Sequence, residues 1–191
     1  MHLLTTDTPT TPIVSADDLM EHLRLADSIE STYLEALSLS AEVYVEKSTG
    51  IGLQPLSRVY IIDTHDVTDG GMQIVPYGPV VMPSEAHGAV VNPITLVAVA
   101  VDGTQTSLDV SNGPLTRSRL AMSDCTGSAA FWLLACTAGS ETAPEMAKQA
   151  IQLIAGGWYE RRESVDALSF QEVPMGAKAL IHLLADPASR L

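Results

Sequence analysis

Basic residues are scarce in this chain. Its 191 residues include 10 Lys and Arg against 23 Asp and Glu, which gives a formal charge of −13 at pH 7. Proteins bind a nucleic-acid backbone through cationic side chains that displace its counterions, so sequence-specific DNA binding is a poor hypothesis here. An acidic balance instead fits a protein that must stay soluble, or one that lines a path for nucleic acid without adhering to it.

Cysteine is almost absent as well. Cys125 and Cys136 do not form a CxxC pair, and no histidine cluster with ligand spacing stands near them. Reduced thiols and synthesis in the cytosol are the simplest interpretation. A chain of this length buries roughly 70% of the surface that its unfolded form exposes, so we expect it to fold without a disulfide or a structural metal ion.

Long apolar runs, targeting signals and catalytic motifs are missing too. No stretch of about 18 apolar residues predicts a membrane span, and the N-terminus shows no signal-peptide pattern. No glycine-rich phosphate loop follows a predicted strand, and Ser128 lacks the flanking glycines of a nucleophile elbow. We therefore expect no enzymatic activity, no cofactor and no metal.

One short segment does carry metal-ligand residue types, namely Asp63, His65, Asp66 and Asp69. We interpret it as a solvated turn, because aspartate-rich turns are common. A small metal-dependent enzyme that uses Asp63, His65 and Asp66 is the alternative from a different functional class.

Residues 14–50 have the pattern of a helical hairpin. Ser15 has the character of an N-cap for the first helix, and Asp27 or Ser28 caps a longer second helix that ends at Gly50. The second helix is predicted to keep Glu42 and Glu46 mostly off its apolar stripe. That predicted stripe consists of Ile29, Tyr33, Ala36, Leu37 and Tyr44.

Residues 53–137 are rich in strand patterns, and residues 1–13 are expected to be extended or loosely docked. The β-branched run at 58–62 predicts a strand, with 72–75 pairing back onto it as a hairpin. Residues 94–101 and 106–110 flank Asp102-Gly103, a hairpin turn signal. A short strand is predicted within 115–120, and a buried strand at 129–137.

Two helices close the chain. Pro144 opens a helix over 144–162, and Pro174 opens another over 174–186, since proline is tolerated where a helix begins. Because the strands are grouped rather than alternating with helices, the pattern predicts an α+β fold. We expect one domain over residues 1–191, with a four-helix core made by two N-terminal and two C-terminal helices around a central β-rich insertion.

The end of the 144–162 helix is the first candidate interface. Trp158 and Tyr159 pack under the β-rich insertion in one interpretation, with Arg161 and Arg162 neutralising the helix C-terminus. In the other interpretation the arginines are assembly contacts, since Arg is enriched at binding hot spots. The last helix adds an apolar face, and the full candidate set is Trp158, Tyr159, Arg161, Arg162, Leu180, Ile181, Leu184 and Arg190.

The chain resembles the head–tail connector proteins, also called head-completion or adaptor proteins, of long-tailed bacteriophages and gene transfer agents. The resemblance covers roughly residues 13–186. It is carried by SADDLMEHLRL with a second helix ending VEKSTG, a strand–DG–strand hairpin, a strand ending TAG before APEMAKQAIQLIAGGWYERRESV, and a closing VPMGAKALIHLL. The chain departs from the compact form of that family in its longer insertion over residues 53–92.

The resemblance implies a structural virion protein without enzymatic activity. Such a protein forms a ring, usually of twelve identical subunits, that docks on the portal protein and extends the DNA channel. Its partners are the portal, sister subunits, the next neck or tail protein, and genomic DNA that passes without sequence-specific binding; no membrane is involved. The resemblance implies that the C-terminal helix docks on the portal through its face of Ala177, Leu180, Ile181 and Leu184. The alternative is that this helix folds onto its own subunit. A stopper or tail-completion protein of the same neck is the nearest alternative.

Overall fold

The computed structural model describes residues 2–25, 30–63, 72–78, 94–109, 119–121, 129–161 and 173–185. The chain divides into two compact units. The first, which we call the sheet unit, comprises Met1–Thr8 and Gln54–Glu141, and the second, the helical unit, comprises Pro9–Leu53 and Thr142–Leu191. The described residues form an α+β structure, as the sequence predicts, and none of their helices is long and apolar enough to span a bilayer.

Helix α1 (Ala16–Leu23) begins where the sequence predicts. The Ser15 hydroxyl accepts a hydrogen bond from the backbone N–H of Asp18, and the Asp18 carboxylate accepts one from the N–H of Ser15, at 3.1 Å each. This reciprocal capping box satisfies two amides that a helix start leaves unpaired. The helix ends at Arg24, whose φ of 56° places it in the left-handed conformation.

Helix α2 (Ser31–Thr49) ends at Gly50 as predicted, with φ 72° and the Gly50 N–H bonded to the Glu46 carbonyl. Its buried face differs from the predicted stripe, because Tyr33 and Tyr44 are partly exposed. Polar residues alternate with apolar ones on the inner face that the structure shows. The spacing of the apolar residues alone therefore does not reveal this face. That face consists of Leu34, Ser38, Ala41, Glu42, Val45, Glu46 and Thr49.

Helices α3 (Glu145–Glu160) and α4 (Met175–Leu184) each have a proline at the N-cap position, Pro144 and Pro174. All four helices of the described residues contribute to one apolar cluster. Glycine lets α4 approach α3 closely, since a Cβ placed on Gly157 would lie 3.2 Å from Cγ of Pro174. The inner face of α3 buries Ala147, Ala150, Ile151, Ile154 and Ala155.

The sheet unit contains a five-stranded antiparallel sheet in the order β1-β2-β7-β4-β5. The strands are β1 (His2–Thr6), β2 (Leu56–Asp63), β4 (Thr95–Ala100), β5 (Gln105–Asp109) and β7 (Ala129–Ala138). The central strand, β7, pairs with β2 on one side and β4 on the other. The predicted β4–β5 hairpin is confirmed, with Val99 opposite Gln105 as the last pair before the turn.

The strand predictions contain two errors. The N-terminal segment is extended, which is one of its two predicted states, but it is not loosely docked, because β1 pairs with β2 from His2 opposite Ile61 to Thr6 opposite Arg58. The segment β3 (Met72–Ile74) does not pair back onto β2, whose two edges are taken by β1 and β7. It forms a separate two-stranded sheet with β6 (Arg119–Ala121). Both errors concern pairing between distant segments, which local patterns do not encode.

One face of the large sheet carries the core of this unit. Alternate residues of β7 are buried, as strand geometry requires, and the cluster includes Tyr60, Ile62, Leu96, Trp132 and Leu134. Among the described residues of this unit, one cation, Arg58, is buried. Its Nε donates to the Ala138 carbonyl at 3.3 Å, and its guanidinium lies 4.8 Å from the centre of the Tyr77 ring. Tyr77 adopts φ 60°, which is uncommon outside glycine.

Candidate assembly surface

The two aromatic rings at the end of α3 make their described contacts with α2. The Trp158 ring meets Tyr44 edge-on, with centroids 6.4 Å apart, and the Tyr159 ring lies 6.3 Å from Tyr33. The Tyr159 hydroxyl also donates a hydrogen bond to the Glu30 carboxylate. Both side chains are half-buried against the helical cluster. Their role within the subunit is therefore to join α2 to α3, and each leaves one edge exposed.

The arginines that follow differ in how far the structure describes them. Arg161 is the C-cap residue of α3, where it is exposed and its backbone N–H bonds to the Tyr159 carbonyl. Arg162 and Arg190 lie outside the described residues. A cation at this position is favourable in its own right, because the carbonyls of a helix C-terminus carry partial negative charge.

The predicted docking face of α4 is used within its own helical unit. Ala177 and Ile181 are buried, while Leu180 and Leu184 are half-buried against the same apolar cluster. The opposite side of α4 carries two apolar residues that point to solvent: Met175 is 85% exposed and Leu183 is 73% exposed. They are eight positions apart, which is about 80° around the helix axis, so they share the exposed side of α4 with exposed Ala179 between them.

Sequence reasoning missed the role of two glutamates on α2. Glu42 is 1% exposed, and its Oε2 accepts a hydrogen bond from the N–H of Ile13 at 3.2 Å. Glu46 is 8% exposed, and its Oε1 accepts one from the N–H of Leu53 at 2.6 Å. The sequence did contain a signal for this buried polar face. Ser38, Glu42, Glu46 and Thr49 follow one another at intervals of three or four residues, which places them on one side of the helix.

A cleft of about 560 Å³ opens between the C-terminal ends of α2 and α4. Its walls combine cationic and apolar groups: Tyr44, Lys47, Lys178, Ile181 and His182. Both lysines and the histidine are exposed. Of the predicted interface residues that the structure describes, Ile181 alone lines this cleft. The missed signal was the scarcity of lysine, since the chain contains only three and two of them stand here.

The metal hypothesis gains no support from the part of the chain that the structure describes. No group of three or more His, Cys, Asp or Glu side chains in it converges to hold a metal ion. Asp63 is the exposed last residue of β2. His65, Asp66 and Asp69 lie outside the described residues.

No protein-family model matches this chain, and no curated protein does. Chains in solved structures do match. A chain in the neck of an empty gene transfer agent (GTA) particle, computed with C6 symmetry, shares this fold with a TM-score of 0.66 and 21% identity, over 95% of each chain. A chain of the native GTA virion matches with a TM-score of 0.66 and 20% identity, over 95% of each chain.

A third match is a chain in the neck of a native GTA particle computed with C12 symmetry. Its TM-score is 0.60 and its identity 22%, over 95% of this chain and 94% of that one. The shared property at these identities is the fold, and it extends over almost the whole of each chain. This agrees with the resemblance to head–tail connector proteins, and both units of the present chain belong to the shared fold.

Proposed function

We propose that this chain is a structural neck protein of a phage or phage-like particle, and specifically the head–tail connector that docks on the portal. The observation that carries the proposal is a shared fold over 95% of this chain with chains from GTA necks. The protein would be made in the bacterial cytoplasm and reside in the virion neck. In this role both units form one connector subunit, and no catalysis is required.

The symmetry of those necks supports a ring of identical copies. One of the matching chains comes from a neck computed with C12 symmetry. Twelve copies at −13 each would carry a formal charge of about −156. Acidic groups that face the channel would repel the phosphates of passing DNA, so the genome would move through the ring without binding to it.

The contacts with the portal are part of the same proposal. Because the inner face of α4 packs in its own unit, we assign portal docking to the exposed side that carries Met175 and Leu183. Exposed apolar residues on one side of a helix fit a hydrophobic groove on a partner. Arg161 and Arg162 follow α3 and are proposed to supply charged contacts at the rim of the same interface or between sister subunits.

The first experiment locates the protein and tests the general role. Deleting its gene from the producing strain should yield filled or empty heads without tails, and restoring the gene should restore complete particles. Electron microscopy of purified particles checks both, and the native protein carrying a small tag should be found at the neck. Complete particles from the deletion strain would contradict the proposal.

The second experiment tests docking through α4. The double variant Met175→Glu, Leu183→Glu changes only exposed positions, so it should fold normally, as circular dichroism can verify. We expect it to be lost from purified heads, since a carboxylate is costly to bury in an apolar groove. Met146→Glu on α3 changes another partly exposed methionine and serves as the matched control. Normal retention of the double variant on heads would remove α4 from the portal interface.

A further inference from the structure

The β4–β5 hairpin ends in a projecting tip with one apolar and one anionic side chain. The turn is closed by two backbone hydrogen bonds of 2.9 Å, from Gly103 N–H to the Ala100 carbonyl and from Ala100 N–H to the Thr104 carbonyl. Val101 is 90% exposed, and Asp102 follows it in the turn. The space around Gly103 is open, because a Cβ built there meets no atom within 4 Å.

The Asp102 carboxylate is held in place and stays charged. The N–H of Thr104 donates to its Oδ1 at 2.9 Å. This hydrogen bond lowers the pKa of Asp102, since it favours the ionised form. A single exposed valine is ordinary on a protein surface. A valine beside a hydrogen-bonded carboxylate on a closed turn is more specific, because it presents one apolar and one anionic group together.

The α2–α4 cleft has the matching chemistry. Lys47 and Lys178 supply positive charge, while the Tyr44 ring and Ile181 supply apolar wall. The remaining lysine of the chain, Lys148, stands elsewhere, on α3, where its Nζ lies 2.6 Å from Glu145 Oε1. A chain with a net charge of −13 thus places two of its three lysines on one cleft. Its volume is within the range of about 300–1,000 Å³ for ligand sites, which is enough for a hairpin tip.

We propose that the β4–β5 hairpin tip of one copy of this chain inserts into the α2–α4 cleft of the next copy. Val101 contacts the apolar wall, and the Asp102 carboxylate pairs with Lys47 and Lys178. The inference rests on the proposed ring assembly, and it names the contact between sister subunits.

Symmetry supports this choice of occupant. A ring requires a heterologous contact, in which one surface of a subunit meets a different surface of the next. The tip belongs to the sheet unit and the cleft to the helical unit, so every copy carries one of each. A phosphate backbone is the other anion that would fit two lysines, but the overall charge of the chain opposes its approach.

Cross-linking between two singly substituted populations tests the contact directly. In a Cys125→Ser background, one population carries Val101→Cys and the other His182→Cys, and a short bismaleimide is added to the mixture. The proposal predicts a cross-linked heterodimer, because the two cysteines come from different copies. Replacing the second partner by Met146→Cys on α3 is the control, and we expect it to give none.

Charge exchange then tests the pairing. Asp102→Lys, or Lys47→Glu with Lys178→Glu, should each lower the heterodimer yield roughly tenfold, because like charges would face each other across the contact. Mixing the copy that bears Asp102→Lys with the copy that bears both glutamates should restore the yield. Lys148→Glu should leave it unchanged.

The same cysteine pairs are examined in purified protein and in assembled necks, which separates this inference from the proposed function. If the necks contain the protein but neither preparation gives the heterodimer, the inference is overturned and the neck role still holds. If necks lack the protein, the neck role fails, and the result in solution alone decides the contact. A second result would also overturn the inference: the lysine variants weaken binding to a duplex DNA probe but leave the cross-linking yield unchanged.

Discussion

The cores of the two units differ in the size and the polarity of the side chains that they bury. Among its described residues, the helical unit buries small residues such as Ala41, Ala147 and Ala150, and its buried polar side chains there all come from α2. Among its own described residues, the sheet unit buries large residues such as Tyr60 and Trp132, and the one buried polar side chain there is Arg58. The described part of the chain thus places acidic side chains in one core and an arginine in the other.

The difference follows from how each architecture satisfies its backbone. Neighbouring strands pair the N–H and C=O groups of a sheet, so its interior needs few polar side chains. Helices satisfy their own interiors but not the segments that lead into and out of them. Ile13 precedes α1 and Leu53 follows α2, and their N–H groups are accepted by Glu42 and Glu46. The buried carboxylates thus replace the strand neighbours that the sheet unit provides.

The largest effect is expected in the sheet unit, at Gly139. This residue has φ 134°, and a Cβ on it would lie 1.8 Å from the Gln54 carbonyl oxygen. Gly139→Ala should lower the free energy of unfolding by about 3 kcal/mol, because the substitution combines backbone strain with a collision against main chain that cannot rotate away.

Gly103→Ala is its matched control. Gly103 has φ 84° but open space around it, so the substitution adds backbone strain without a collision. We expect it to lower the free energy of unfolding by about 1 kcal/mol. Urea denaturation measures both, and hydrogen exchange should show the loss in β2 and β7 more than in α3. Equal costs for the two variants would show that the contact with Gln54 does not constrain the fold.

A smaller effect is expected in the helical unit, at Glu46. Glu46→Ala leaves the buried N–H of Leu53 without this acceptor, and should lower the free energy of unfolding by roughly 2 kcal/mol. Glu46→Gln keeps an oxygen at the same position and should recover part of the loss. Glu35→Ala, on the exposed side of α2, should change stability by less than about 0.5 kcal/mol. An equally mild Glu46→Ala would mean that the backbone amide finds another acceptor, and the contrast between the units would weaken.

The smallest effect concerns reactivity in the sheet core. Burial raises the pKa of the Cys136 thiol to about 11, against the opposing influence of Arg58. The folded protein therefore keeps this thiol protonated between its ordinary value of 9.0 and about 11, where the unfolded chain has lost the proton. The stability contributed by this group consequently falls as pH rises through that window.

In a Cys125→Ser variant, alkylation of Cys136 by iodoacetamide at pH 8 should be slow in native buffer and fast in urea. Mass spectrometry measures the two rates. Equal rates would show that the sheet core opens readily, contrary to the packing described for it.

Four helix boundaries could be read from sequence because capping is local. The start of α2 could not, because its N-cap is Glu30, without a side-chain capping hydrogen bond, rather than the predicted Asp27 or Ser28. Ser15, Gly50, Pro144 and Pro174 each stand at the helix boundary that the structure contains. The β4–β5 turn was predictable for the same reason, since Asp-Gly favours a tight hairpin. Of the predicted interface, Trp158 and Tyr159 prove to be partners of α2, while the basic cleft was not foreseen, because it unites residues that are more than 130 positions apart in the chain.

By itself, then, the sequence determined the α+β class, most helix boundaries, most strands and the acidic charge, since each depends on composition or on neighbours within a few residues. Tertiary structure alone decided that β1 lies at the edge of the sheet, that β3 pairs with β6, and that α2 turns Glu42 and Glu46 inward. It also brought Lys47 and Lys178 to one cleft. These outcomes depend on which distant surfaces bury each other, and burial is a property of the folded chain rather than of any segment.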